Sequence, residues 1–248
     1  MRQLCRTILA ALLLATVTLH PAAAQQATPP AELPERREVK LPDARIVALS
    51  PDGTRFVASK SAGARLTDLC VYDVATLTEQ TCGDLEARRI AISLDSVVWS
   101  PDSTKITFAE DAFRIFVDGD LWLMDAATGE LTNVTDDGYE GRIEVWDDDE
   151  EWPETPIHVD ILPAWAPDSR SIAFSRSPIF NGEFRGNQIV SLDLASGEVE
   201  TLAPVTLAEP GVVYFGLAWA PDGQRLYYSV AYPESDNTQN GIWVYDRV

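Results

Sequence analysis

A short turn motif that recurs four times constrains this chain more than any other feature of its sequence. The copies begin at Ser50, Ser100, Ala166 and Ala220, and each continues with Pro-Asp and then Gly or Ser. Proline presets the backbone for a tight turn, and an Asp carboxylate accepts hydrogen bonds from nearby backbone N–H groups. We therefore predict that the four Asp residues cap turns and do not form a ring of catalytic carboxylates.

Each motif copy is followed by segments in which apolar and polar residues alternate, as is typical of strands. The second of these segments ends in Asp in every copy, at Asp73, Asp125, Asp193 and Asp246. Turn residues and a further short strand complete a four-stranded meander in the first three copies. The sequence thus predicts an all-β fold of four four-stranded blades. The predicted blades cover about residues 43–86, 87–137, 164–206 and 211–248.

Three motif copies have a Trp directly before them, at Trp99, Trp165 and Trp219, whereas the first copy has Leu49. With the Trp-Ser-Pro-Asp sequence that Trp99 opens, the repeats resemble the WD-like repeats of the TolB family and of the propeller domains of prolyl oligopeptidase-type enzymes. The resemblance covers roughly residues 38–248 and implies a β-propeller. Since large aromatic side chains bury the most area, we expect the three Trp residues to pack between adjacent blades.

The fourth repeat shows three strand segments where the others show four. Upstream of the first motif, residues 37–42 alternate like the missing outer strand, with Val39 near the centre. Three arrangements are open: the N-terminal strand 38–42 pairs with the strand at 242–246 and closes the ring, the four blades form an open arc that pairs with a second chain, or the repeats are a fragment of a longer protein. We expect closure, because an unpaired strand edge invites aggregation.

The first 24 residues have the pattern of a secretory signal peptide. Arg2 and Arg6 precede an apolar stretch that is too short to span a bilayer, and a run of alanines ending at Ala24 offers a cleavage site. Residues 25–37 are rich in Pro, Ala and Glu, and we predict a disordered linker there. The mature protein is therefore predicted to be periplasmic or extracellular, with no membrane span.

Cleavage after residue 24 leaves Cys70 and Cys82 as the only cysteines. They lie symmetrically about a hairpin turn near Thr76, so they face each other across two antiparallel strands. Exported proteins meet an oxidising environment, in which such a pair is oxidised. We predict a disulfide between them.

The net charge restricts the kind of partner. The chain has 39 acidic and 19 basic residues, for a formal charge of −20 at pH 7. A charge of this sign disfavours nucleic acids and anionic membrane surfaces, which are themselves negative. We therefore predict a protein partner and no nucleic acid. The charge suits a basic partner or divalent cations, and the simpler interpretation is that the acidic residues keep the protein in solution.

Residues 138–163 form the one insertion that breaks the repeat, between the second and third blades. It carries an acidic run flanked by two tryptophans, and the simplest interpretation of such a run is a solvated acidic loop. If the protein has a basic partner, we predict that this run is the binding surface. Ca²⁺ is an alternative ligand, but the run lacks the Gly-containing spacing of known calcium loops. The predicted binding residues are Trp146, Asp147, Asp148, Asp149, Glu150, Glu151 and Trp152.

Catalytic motifs are sparse. His158 is the one His after the predicted leader, and the chain has no Gly-x-Ser-x-Gly element, so no serine hydrolase triad or zinc site is predicted. We interpret residues 118–120, Asp-Gly-Asp, as a plain hairpin turn. The sequence predicts a non-catalytic, TolB-like binding or scaffold protein without a cofactor or metal. The alternative is a carboxylate-dependent lyase or hydrolase with its site in the central channel.

Overall fold

The structure is a computed structural model. It describes residues 41, 44–62, 65–111, 119–139, 157–180, 183–184, 186–204, 213–231 and 240–247. The predicted signal peptide and linker lie outside these residues, as do residues 38–40 of the predicted closing strand and the acidic run 146–152. These four assignments stay predictions.

The described strands form four antiparallel sheets that follow one another along the chain. Sheet 1 contains β1 (Ala44–Leu49), β2 (Arg55–Ala62), β3 (Arg65–Asp73) and β4 (Glu79–Asp84). Sheet 2 contains β5 (Val98–Trp99), β6 (Lys105–Ala109), β7 (Leu121–Asp125) and β8 (Leu131–Asn133). Sheet 3 contains β9 (Ile157–Trp165), β10 (Ser171–Phe180), β11 (Glu183–Phe184), β12 (Gln188–Asp193) and β13 (Val199–Pro204). Sheet 4 contains β14 (Val213–Trp219), β15 (Arg225–Ala231) and β16 (Gly241–Asp246).

Sheets 1 and 2 run in sequence order from the first strand to the fourth, as the meander predicts. In sheet 3 the two-residue strand β11 pairs with the far end of β10. Sheet 4 has three strands in the part of the chain that the structure describes, so β16 forms its edge. Between sheets 1 and 2 lie a one-turn helix, α1 (Leu85–Arg88), and a 3-10 turn (Leu94–Ser96). No helix among the described residues is long and apolar enough to cross a membrane.

The recurring motif forms the turn between the first two strands of each sheet, and its Asp caps that turn as predicted. In the first copy the Ser50 hydroxyl donates to Asp52 at 2.6 Å, and the Asp52 carboxylate accepts from the backbone N–H of Thr54 at 2.9 Å. The Asp102 carboxylate accepts in the same way from the N–H two residues on, as do its two later counterparts. The fixed turn sets the register of the strands on either side.

The three tryptophans pack between sheets, as predicted. Each lies in the apolar cluster between its own sheet and the preceding one: Trp99 between sheets 1 and 2, Trp165 between sheets 2 and 3, and Trp219 between sheets 3 and 4. The first strands of consecutive sheets also contact one another. The core therefore consists of three similar interfaces between sheets.

Strand β9 begins at Ile157, within the stretch 138–163 that the sequence analysis assigned to the insertion. His158 and Asp160 make this part of the strand read as a loop, because charged side chains are depleted in strands. Both are accommodated because other ionisable side chains lie beside them, as described below.

The predicted disulfide is confirmed. Cys70 and Cys82 are direct partners in the β3–β4 register, and their sulfurs are bonded. The Cys70 side chain is fully buried, and the disulfide joins the last two strands of sheet 1, β3 and β4.

We predict that replacing both cysteines with Ala lowers the stability of the protein by about 3 kcal/mol, because the closed loop no longer restricts the unfolded chain. Chemical denaturation of the double variant and the wild type, without reductant, measures this difference. Thiol titration of the unreduced wild type is the control and should detect neither Cys70 nor Cys82; a reactive thiol at either position would contradict the prediction.

A charged cluster between the second and third sheets

Five ionisable side chains meet where sheet 2 adjoins sheet 3, and we call them the junction cluster. Asp120 lies directly before β7, and Asp137 lies in the turn after β8. His158 and Asp160 belong to β9, and Arg176 belongs to β10. The cluster thus combines residues that are far apart in the sequence.

Asp160 and Arg176 form the buried centre of the cluster. They are opposite each other in the β9–β10 register. The guanidinium donates to both carboxylate oxygens, at 2.9 and 2.7 Å, and the Asp160 side chain is fully buried. Burial raises the pKa of Asp160 and the guanidinium opposes that rise. Burial lowers the pKa of Arg176, but its hydrogen bonds to Asp160 prevail and raise it, so Arg176 stays charged.

The Asp160 backbone connects the two sheets. Its N–H donates to the carbonyl of Gly119 at 2.6 Å, and Gly119 also forms a parallel bridge with Val159. The segment before β7 therefore runs alongside the start of β9. This contact brings Asp120 next to the buried ion pair.

Asp120 was expected to be a turn residue, but its side chain is only 6% exposed. Its two oxygens accept hydrogen bonds from the Asn133 amide, at 2.7 Å, and from the Thr135 hydroxyl, at 3.2 Å. Burial raises the pKa of Asp120 to about 6; the Asn133 bond opposes the rise, and the negative charges of Asp137 and Asp160 add to it. Asp120 therefore gains and loses its proton in a range where most carboxyl groups are fully ionised.

Asp137 and His158 join the two ends of the insertion. The Asp137 carboxylate accepts from the His158 backbone N–H at 2.7 Å and lies 3.2 Å from the ring nitrogen Nδ1. Burial raises the pKa of Asp137, but the hydrogen bonds from His158 and Tyr139 outweigh it, and the pKa lies below its usual value. Tyr139 packs against the apolar cluster that includes Ile157. We call the contact between Asp137 and His158 the base of the insertion.

The described residues contain one group of three metal-type ligand atoms within 4.8 Å of one another: Cys70, Glu79 and Cys82. Its sulfurs are bonded to each other, and the Glu79 carboxylate pairs with Lys60 and accepts from the Tyr72 hydroxyl. This group therefore has no free thiolate to offer a metal ion.

Sequence reasoning identified His158 but found no partner for it, and it missed Asp120, Asp160 and Arg176. One signal was present: Arg176 interrupts an otherwise apolar and hydroxyl-bearing strand. A charged residue inside such a strand is stable only beside a compensating charge. The predicted binding residues 146–152 lie outside the described residues. In the sequence they stand between Asp137 and His158, which form the base.

Comparisons with solved structures support the fold. A prolyl endopeptidase, one of two in a structural and mechanistic study, superposes with a TM-score of 0.53 at 16% identity, covering 82% of this chain and 28% of that one. A putative TolB from Agrobacterium tumefaciens gives a TM-score of 0.47 at 18% identity, covering 82% of this chain and 58% of that one. The tricorn protease gives 0.49 at 16% identity, covering 80% and 17%. No protein-family profile and no curated protein matches the sequence.

The four consecutive antiparallel sheets have the strand arrangement that the repeats predict for blades. The superposition on the prolyl endopeptidase supports, at the level of the fold, the resemblance to prolyl oligopeptidase-type propellers that the repeats indicated. This chain spans less than two thirds of each of the three matched chains. Likeness at this level of identity concerns architecture, because unrelated functions share the same blades.

We predict that Asp120→Asn stabilises the protein at neutral pH, by up to roughly 3 kcal/mol, because the ionised carboxylate is disfavoured in the folded state. The folded pKa of about 6 lies above the ordinary value of 3.8. The wild type should therefore gain stability relative to the variant as the pH falls from 7 to about 4, and the advantage of the variant should vanish there. Melting temperatures measured across this range test the prediction.

Asp136→Asn is the matched control, because it removes an exposed carboxylate from a nearby turn. The control should leave the melting temperature at neutral pH close to that of the wild type. A constant difference between Asp120→Asn and the wild type at every pH would show that Asp120 has the same pKa in both states.

Proposed function

We propose that this protein is an exported β-propeller binding or scaffold protein that contacts a basic protein partner through its acidic insertion. One observation carries the proposal: the two ends of the insertion are held together at its base. There the Asp137 carboxylate contacts both the backbone N–H and the ring nitrogen Nδ1 of His158. The acidic run 146–152 lies between these two residues in the sequence.

Holding the two ends of the insertion together favours binding because it lowers the entropy lost on association. Ordering a binding loop opposes association, and joining the ends of the loop in advance reduces that loss. The junction cluster supplies the rigidity, because Asp160 and Arg176 are buried just beside the base. The described ends of the insertion therefore lie at a defined place between the two sheets.

Charge supports a basic partner. The net charge of −20 gives an attractive field for cations over the whole chain, and the run 147–151 concentrates it. Such a field accelerates encounter with a positively charged partner. The disulfide between Cys70 and Cys82 supports export, since structural disulfides persist in oxidising compartments.

The alternative is an enzyme that uses a carboxylate as its acid, and the raised pKa of Asp120 is the observation that favours it. General acids with a pKa near the working pH are efficient catalysts. However, the Asp120 side chain is almost fully buried and both of its oxygens are already hydrogen-bonded. The binding function therefore has the stronger support.

We predict that replacing Asp147, Asp148 and Asp149 with Asn abolishes capture of the partner. The exported protein, immobilised as bait, is exposed to a native periplasmic or secreted extract at about 0.1 M salt. The wild type should retain a basic protein and release it at about 1 M salt, where the screening length falls from about 10 Å to about 3 Å. A chelator in the buffer removes Ca²⁺, which would otherwise compete for the same carboxylates.

The control bait removes three exposed carboxylates elsewhere, as Glu198→Gln, Glu200→Gln and Asp246→Asn. Both baits have the same net charge, so they separate a local contact from general attraction. Equal capture by the two variants would count against the insertion as the contact surface.

A further inference from the structure

A cleft of about 460 Å³ lies where sheet 3 meets the end of sheet 4, beside the third turn motif. Clefts that bind small molecules usually have volumes of about 300–1,000 Å³. Residues of sheet 3 and of its motif line the cleft on one side, and Arg247, directly after β16, lines it on the other. Three residues that differ from their counterparts in the first two interfaces form this cleft.

The first difference is Ser171, which occupies the position of Arg55 in sheet 1 and of Lys105 in sheet 2. Between sheets 1 and 2 the Arg55 guanidinium reaches the next sheet. It donates to the carbonyl of Ser103 at 2.5 Å and lies over the Trp99 ring, 5.4 Å from its centroid. A serine hydroxyl is too short to make either contact, so the space that Arg55 fills in the first interface is open in the third.

The second difference is Ser191, two residues before the Asp that ends the third strand. The same position holds Val71, which is fully buried, in sheet 1 and Leu123, which packs between sheets 2 and 3, in sheet 2. Ser191 is also buried, and its register partner Ala173 packs toward sheet 4. No protein group among the described residues bonds to the hydroxyl of Ser191 or of Ser171, and both residues line the cleft.

The third difference is Arg247, directly after the Asp that ends the third strand of sheet 4. The same position holds Ala126 in sheet 2 and Leu194 in sheet 3, and each packs in the apolar cluster toward the preceding sheet. The Arg247 guanidinium lies over the Trp219 ring, 5.2 Å from its centroid, and such a contact attracts the cation to the ring. A positioned positive charge therefore replaces an apolar side chain at this interface.

The rim of the cleft carries charges of both signs. Arg170 and Arg247 supply two guanidinium groups, and Glu198 and Glu200 supply two carboxylates. Glu200 is the register partner of Ser191, so it lies on the face of sheet 3 that is turned toward sheet 4. None of these four charged side chains forms an ion pair with another described residue.

Two further carboxylates line the cleft, and both are turn caps. Asp168 accepts from the backbone N–H of Arg170 at 2.9 Å, and Asp193 accepts from that of Ser196 at 2.8 Å. Equivalent Asp residues cap the turns of the other sheets in the same way. The carboxylates that remain for a ligand are therefore those of Glu198 and Glu200.

We propose that this cleft binds a small zwitterion of the amino-acid class, with its ammonium group on Glu198 and Glu200 and its carboxylate on Arg247. Charges of both signs that surround one space without pairing are complementary to a molecule that carries both. A guanidinium binds a carboxylate through two parallel hydrogen bonds, and an ammonium group offers three donors. The hydroxyls of Ser171 and Ser191 lie ready to bond polar groups elsewhere on the ligand.

Thermal unfolding of the protein with an excess of each standard free L-amino acid tests the proposal, because a ligand that binds the folded state raises the melting temperature. At least one amino acid should raise it, and titration calorimetry then gives its dissociation constant. The amide of that amino acid lacks the carboxylate, and its N-acetyl derivative lacks the ammonium group. Each derivative should bind more than about tenfold more weakly. The dipeptide of the same amino acid distinguishes a free amino acid from a short peptide as the source of the zwitterion.

Two pairs of variants assign the binding to the cleft. Arg247→Gln and Glu198→Gln should each raise the dissociation constant more than about tenfold, with unchanged circular dichroism, because both side chains are exposed. Arg225→Gln is the control for the first, since its guanidinium also belongs to sheet 4 and lies over the Tyr227 ring. Glu130→Gln is the control for the second, because Glu130 occupies the same position in sheet 2. Both controls should bind like the wild type.

Ser191→Val restores an apolar side chain of the kind that Val71 provides in sheet 1. It should abolish binding of the amino acid, with an unchanged or higher melting temperature in the absence of ligand, and capture of a basic partner by the acidic insertion should continue. The proposal is overturned if no amino acid raises the melting temperature of the wild type. Undiminished binding by Ser191→Val or Arg247→Gln also overturns it, as does an amide that binds as tightly as its parent amino acid.

Discussion

The fold of this protein depends on the burial of apolar sheet faces against the neighbouring sheets. A single four-stranded sheet has apolar side chains on both sides, and water covers whichever side has no partner. Burial of apolar area is worth about 25 cal/mol per Å², so residues as large as Trp99 and Trp165 contribute strongly where they fill the gap between sheets. The turn motif serves this packing, because the Asp caps fix where each first strand meets its second.

One of the three interfaces departs from this apolar plan. Between sheets 2 and 3, charged side chains occupy part of the contact, and burying them is unfavourable unless every charge is compensated. Arg176 compensates Asp160 through two hydrogen bonds, and the Asp137 carboxylate accepts a hydrogen bond from the backbone N–H of His158. Burial raises the pKa of Asp120 and its hydrogen bonds from Asn133 and Thr135 offset only part of the rise, whereas the hydrogen bonds to Asp137 outweigh burial and lower its pKa. The described ends of the insertion lie beside this charged part of the interface.

The repeat also explains why the ends of the described blade array differ from its middle. Equivalent positions carry similar residues in every copy, so the sequence alone treats Ile242 like Ile189. The structure separates them, because Ile189 has a sheet in front of it and Ile242 is exposed to solvent. The exposure of Ile242 is therefore a property of its position along the described array.

The sequence by itself determined the all-β fold, the turn caps, the Trp packing and the Cys70–Cys82 disulfide. Each of these depends on local chemistry or on a short spacing that repeats, and both can be read from one stretch of chain. Only the tertiary structure decided the junction cluster, because it joins Asp120, His158 and Arg176 from three separate strands or turns. Their pKa values and pairing depend on burial and distance, and the linear order of residues specifies neither.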